Sequence, residues 1–289
     1  MIDYWQLLLL GSIAGFTIFL GLPLAVLQNV SSKKKGFLNA IAIGILVFLI
    51  IDVFGHAWDS VGNVAQDTFS GKVSVSTGVP TILALFGGLA IGLLGLVFYE
   101  ERYMKKNLKQ KWSEAALDRS VASGGGEYRH QQQLLQEGNA YRLSMMIAMG
   151  IGFHNFSEGL AIGQAYASGA IGLAIILIIG FGAHNATEGF GIAGPLTGLV
   201  KKPRIRFLIL AGLVGGGPTF VGTVLGSLWT STITSVFFLS LAGGALIYVS
   251  MLMYNSGRKQ TTNDILMLGI FVGLCAGFLT DLIVTLGGA

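Results

Sequence analysis

Charged residues are scarce in this chain of 289 residues: Asp, Glu, Lys and Arg make up 11% of it, where an ordinary soluble domain carries about 25%. That deficit excludes a water-facing surface over a protein of this size. The single cysteine, Cys275, excludes an internal disulfide and a thiolate-rich metal site. It lies in an apolar run, where packing is its expected role. No His-Glu-x-x-His sequence occurs, so the helical signature of a zinc hydrolase is missing. The start, Met1-Ile2-Asp3-Tyr4-Trp5, lacks the basic residues of a secretory leader. It is expected to open the first membrane span.

What is abundant is apolar: 53% of the residues are hydrophobic and 43 are glycine. Transmembrane helices have this composition, because small residues let their backbones approach closely. A bilayer crossing needs about 20 apolar residues. Eight stretches qualify: 5–28, 37–58, 79–99, 142–166, 170–195, 205–228, 233–254 and 264–286. The expected fold is therefore an all-α integral membrane protein of eight transmembrane helices, forming one transporter-like domain over 1–289. Spans four and five are joined near Ala167-Ser168-Gly169 and make an antiparallel hairpin.

The basic residues orient these spans. With the N-terminus outside, every Lys and Arg except Lys72 falls in a loop or flank on the same side. Basic loops stay cytoplasmic, so both termini are expected to be extracytoplasmic, in a multi-pass protein of the cell membrane. Residues 100–141 are the one long polar segment. They begin with a charged run, pass through Ser123-Gly124-Gly125-Gly126 and continue into a Gln-rich stretch, and are expected to form a solvated cytoplasmic loop with some helix.

Ionisable groups inside a bilayer cost at least about 2.5–3.5 kcal/mol each on insertion scales, so those present call for a function. Span four contains Gly152-Phe153-His154-Asn155-Phe156-Ser157-Glu158-Gly159. Span five contains Gly182-Ala183-His184-Asn185-Ala186-Thr187-Glu188-Gly189. On a helix, His at i and Glu at i+4 share a face. Two such spans offer a set of two imidazoles and two carboxylates, His154, Glu158, His184 and Glu188. That donor set suits Zn²⁺, Fe²⁺, Mn²⁺ and their neighbours and suits Ca²⁺ or Mg²⁺ poorly. In straight, level helices the two glutamates would lie about 12 Å apart along the axis. The helices must cross, stagger or bend for all four groups to bind one ion; otherwise they form a ladder of partial sites. Asn155 and Asn185 have two readings, amide ligands or carboxylate orienters on one hand, interhelical hydrogen bonds on the other. Span two adds Asp52, His56 and Asp59 on one helical stripe, an entrance site or an interfacial polar cluster. Asp281 in span eight is a further candidate for entry or for pairing with His56.

The paired His-Asn-x-x-Glu-Gly motifs resemble those of the ZIP (Zrt/Irt-like) family of metal-ion transporters, prokaryotic type. The resemblance implies eight spans, both termini outside, a long cytoplasmic loop after span three, and metal ligands at His154, Glu158, His184 and Glu188. Asn155 and Asn185 match positions of a second, adjoining site found in binuclear members. The family usually has Pro before each Glu; Ser157 and Thr187 stand there instead, and each can bond a carbonyl one turn earlier and bend the helix. The second site usually takes a carboxylate that precedes a Pro in span six. Here that position is Gly217, so one ion per protomer is expected. Val249-Ser250-Met251-Leu252-Met253 lacks the His or acidic pair that many members carry near the end of span seven.

The leading expectation is transport of a divalent metal into the cytoplasm, zinc first, with iron, manganese or cadmium accepted by the same shell. A metal-sensing, non-transporting relative is the alternative. An intramembrane metalloenzyme is disfavoured, since symmetric ligand pairs leave no general base. The expected partners are the transported ion and the lipid bilayer, with a homodimer left open. No nucleic acid and no resident cofactor are expected.

Overall fold

The structure, a computed structural model, describes residues 4–28, 31–104, 125–229 and 231–286. Among them the chain is helical throughout. Helix α1 (Tyr4–Phe16) runs into two 3₁₀ turns, Thr17–Leu20 and Leu22–Val26. The Thr17 hydroxyl donates to the Ala14 carbonyl at 2.7 Å. Pro23 stands in the first turn of the second 3₁₀ segment, where its missing N–H costs least. Then follow α2 (Ser32–Phe69), α3 (Val75–Tyr99), α4 (Gly125–Ala167), α5 (Ile171–Ala193), α6 (Ile205–Leu228), α7 (Thr232–Gly257) and α8 (Asn263–Leu286).

Seven of these, α4 being the exception, are long and apolar enough to cross a membrane, α1 with its 3₁₀ continuation. Helix α4 has the length, but His154, Asn155, Ser157 and Glu158 dilute its apolar run. Two helices extend well past the expected spans. Helix α2 continues from residue 58 through Asp59, Asn63 and Gln66 to Phe69, and its 38 residues reach about 57 Å at 1.5 Å per residue. Helix α4 starts at Gly125 and takes in the Gln-rich stretch expected to belong to a loop. Gln, Leu, Glu and Arg are good helix formers, and adding turns to an existing helix is cheap once the nucleus is set. Of the expected cytoplasmic loop, residues 105–124 lie outside the described residues.

The helices form two groups. Helix α4 packs most extensively on α6, and α1 rests on α6 and α5. In the other group α2 packs on α8 and α7, and α3 on α7. The groups meet where α4 touches α7, α5 touches α8 and α2 touches α5. The α4–α6 seam is a backbone-to-backbone contact. A Cβ at Gly159 would strike the Thr219 carbonyl, and one at Gly222 the Phe156 carbonyl. Such approach replaces the hydrophobic drive that lipid cannot supply.

The α4–α5 hairpin closes tightly. Gly169 takes φ +78°, a left-handed conformation that disfavours a side chain. The Ala170 N–H donates to the Ala165 carbonyl at 3.0 Å, capping the helix end as a Schellman turn does.

Candidate metal centre

The hairpin carries both motif copies. His154 and Glu158 project from α4, His184 and Glu188 from α5, and all four are buried. They converge on one point. Glu158 Oε1 lies 3.2 Å from His154 Nε2 and 3.9 Å from His184 Nδ1. Glu188 Oε1 lies 4.0 Å from His154 Nε2 and 4.0 Å from His184 Nε2. Ligand atoms of His154, Glu158 and His184 all fall within 4.8 Å of one another. Two donors on one tetrahedral zinc, each about 2.0–2.2 Å from it, sit roughly 3.4 Å apart, so small adjustments would close this set on a single ion.

The expected axial gap between the glutamates is bridged by side-chain direction. Every Cα–Cβ bond in a helix leans toward its N-terminus. Because α4 and α5 run antiparallel, Glu158 and Glu188 lean toward each other, each toward the histidine one turn earlier.

Atom-level accounting supports a ligand here. His154 Nδ1 and Nε2, Glu158 Oε2, His184 Nε2 and Glu188 Oε1 are buried and lack a well-formed hydrogen bond. Buried polar groups are normally paired; an imidazole turns one nitrogen toward a given ion, so four of these atoms, one from each side chain, suit a cation. Two carboxylates and two imidazoles would also balance the charge of a divalent ion.

The asparagines act as the frame. Asn155 Nδ2 is placed to donate to Asn185 Oδ1, to Glu188 Oε2 at 2.9 Å and to the Gly215 carbonyl at 3.0 Å. With two hydrogens it satisfies two of these at a time. Asn185 Nδ2 donates to the Ala14 carbonyl at 2.9 Å. Asn155 thus holds one Glu188 oxygen and leaves the other facing the imidazoles. The pair ties α1, α4, α5 and α6 together, while Asn155 also orients the Glu188 carboxylate and keeps its own Oδ1 buried and unpaired among the described residues, so both readings stand.

Span two reaches the centre. Asp52 Oδ2 is 3.9 Å from His154 Nε2, and Asp52 Oδ1 is 3.5 Å from His56 Nε2. A cavity of about 330 Å³ runs from His56, whose side chain is 69% exposed, to His154, Glu158 and His184. Asp281 and Ser157 also line it. Asp59 is exposed and does not line it. Asp281 faces the cavity from α8, but the partner of His56 is Asp52. On the far side of the centre Leu46, Ile147, Ile151, Ile192 and Leu246 pack into a fully buried apolar layer.

Four particulars depart from expectation or escaped it. The Thr187 hydroxyl bonds the His184 carbonyl at 2.7 Å as expected, whereas the buried Ser157 hydroxyl has no partner and faces the cavity. Gly217 does not face the centre. A Cβ there would meet nothing within 4 Å and would enter an apolar cleft lined by Phe16, Met149, Phe153 and Phe238. The contribution of α6 to the site is the Gly215 carbonyl, which no side-chain pattern could reveal. Ser235, on the cavity wall from α7, likewise carried no signal in an apolar sequence.

Taken together, these features define the class: a polytopic helical membrane protein with a buried His–Glu cluster on adjacent antiparallel helices. The profile of the ZIP Zinc transporter family matches residues 3–284, and the chain belongs to that family. Zinc transporter ZupT of Clostridium perfringens (strain 13 / Type A) is 26% identical over 273 residues, covering 92% of this chain and 91% of that protein. Zinc transporter ZIP10 of Mus musculus is 28% identical over 167 residues, 54% of this chain. The chain matches 20% of the length of that relative.

Proposed function

We propose that this chain carries divalent transition-metal ions across a membrane, binding one ion at a time between His154, Glu158, His184 and Glu188. The observation that carries the reading is the cluster of three buried donors, His154, Glu158 and His184, with Glu188 Oε1 4.0 Å from each histidine and orphaned nitrogen and oxygen atoms among them, on two helices of a tight hairpin. The donor set favours zinc, and iron, manganese or cadmium fit the same shell. The printed names of the ZupT and ZIP10 relatives agree with zinc.

Asp52, His56 and Asp281 line the cavity by which an ion reaches the centre, and Asp52 is placed to hand it to His154. Asp59 has no place in this path. The apolar layer of Leu46, Ile147, Ile151 and Ile192 closes the other end. Passage then requires that layer to open as the cavity shuts. With the basic loops in the cytoplasm, both termini and the His56 cavity face outward, residues 1–289 act as one domain, and the ion moves inward across the cell membrane. Asn155 and Asn185 organise the centre without forming a second site.

Zinc-65 uptake into proteoliposomes tests the proposal. The double variant His184→Ala, Glu188→Ala should abolish uptake; unchanged uptake would sink the site assignment.

A further inference from the structure

At the end of the molecule beyond the apolar layer lies a second polar cavity, of about 170 Å³. Its polar lining is Lys35 and Asn39 from α2, Gln136 and Asn139 from α4, and Ser256 and Gln260 at the end of α7. Leu143, also on its wall, precedes His154 by eleven positions on α4, or about 16 Å. The two cavities are therefore separate.

The chemistry of the two is opposite. The His56 cavity is lined by Asp52, Glu158 and Asp281. Among the described residues the second cavity is lined by no carboxylate and no imidazole; it offers an ammonium, amides and a hydroxyl. Carbonyls at the adjoining end of α5 are already engaged, Ile192 by the Ser144 hydroxyl at 2.8 Å and Ala193 by the Thr197 hydroxyl at 3.2 Å. Gln260 Nε2 is spent on Ser256 Oγ at 3.0 Å.

Four lining side chains make no hydrogen bond or ion pair among the described residues: Gln136 and Asn139 are exposed to solvent, Lys35 and Asn39 are more sheltered, and beside them the Gln260 Oε1 acceptor is buried and unpaired. Lys35 is partly buried and makes no ion pair or side-chain hydrogen bond among the described residues. Asn39 is only 5% exposed, lines the cavity and makes no side-chain hydrogen bond among the described residues. An ammonium and an amide that open on the same sheltered cavity make a donor pair for an acceptor.

We propose that this cavity binds a small oxyanion of the phosphate class, held by the Lys35 ammonium and the Asn39 amide. The volume equals that of roughly five or six waters at about 30 Å³ each, enough for one tetrahedral oxyanion and too little for a nucleotide. Lysine serves widely as a point-charge partner of phosphate. The same chemistry describes a free phosphate and the headgroup of an anionic phospholipid. Either would bridge α4, from one helix group, to α2 and α7 of the other. The proposal does not depend on which ion the His–Glu centre carries.

Equilibrium binding of ³²P-phosphate to the metal-free full chain tests it, in maltoside micelles, which contain no phosphate. Wild type should bind about one phosphate per chain. Lys35→Gln and Asn39→Asp should each bind at least tenfold more weakly, and Lys72→Gln as tightly as wild type. Zinc binding by each variant reports that it is folded. In a second arm phosphatidic acid is added to the micelles. Displacement of phosphate, or lysine-dependent retention of phosphatidic acid without free phosphate binding, identifies the headgroup as the source and supports the site. Absence of binding in both arms, or equal binding by wild type and Lys35→Gln, overturns it.

Discussion

One oxygen of Glu158 stands 3.2 Å from the imidazole of its own helix, His154, and 3.9 Å from His184 on the next. This carboxylate is the hinge of the donor set, since it lies nearer to both rings than Glu188 Oε1, which is 4.0 Å from each. Glu158→Gln should therefore lower zinc affinity by more than the roughly 10–100-fold typical of losing a residue that merely supports a ligand. Competition against a chromophoric zinc chelator measures it.

Asn155 is such a supporting residue. It holds Glu188 Oε2 and the Gly215 carbonyl. Asn155→Ala should weaken zinc binding by about 10–100-fold while leaving the stoichiometry at one ion per chain, read by titration calorimetry.

Asp52 and Asp59 lie on the same helix but differ in reach. Asp52→Asn should lower kcat/KM for zinc uptake about tenfold, equal to about 1.4 kcal/mol of barrier. Asp59→Asn should leave it unchanged. Equal effects from the two would remove Asp52 from the path.

Gly222 and Gly217 sit five positions apart on α6 and should respond oppositely. At Gly222 any side chain meets the Phe156 carbonyl; at Gly217 it meets nothing. Gly222→Leu should cost about 1–3 kcal/mol, as overpacking does, and Gly217→Leu close to none, by thermal unfolding in detergent. Gly217→Asp should leave zinc stoichiometry at one, because the new carboxylate would enter the apolar cleft.

Metal removal should destabilise the fold without unfolding it. Zinc at one hundred times its dissociation constant adds about 2.7 kcal/mol, so chelation should lower the unfolding midpoint. The variant His184→Ala, Glu188→Ala should not respond to chelation.

The multi-span helical fold and the His–Glu positions were legible because both rest on local regularities, apolar run length and the i, i+4 face. Convergence of Glu158 and Glu188 was less so, because residue counting along an axis ignores the lean of each side chain toward its own N-terminus. Helix α2 beyond residue 58 and α4 before 142 were hidden for another reason. Composition marks where a helix leaves the lipid, not where it ends. The outward direction of Gly217 was not legible, because a motif gives a position in sequence but no direction in space. The α6 contribution is a main-chain carbonyl, which every residue possesses and no sequence can single out.

The three-residue turn at Ser168–Ala170 makes the α4–α5 hairpin a gauge. Each residue inserted between Glu158 and the turn would swing His154 and Glu158 about 100° around their helix relative to the turn and slide them 1.5 Å along it, out of line with His184 and Glu188. No slack in so short a connection absorbs that error. Length variation should thus be tolerated in the segment between α5 and α6, residues 197–204, and be lethal to the ion site by even one residue within 159–183.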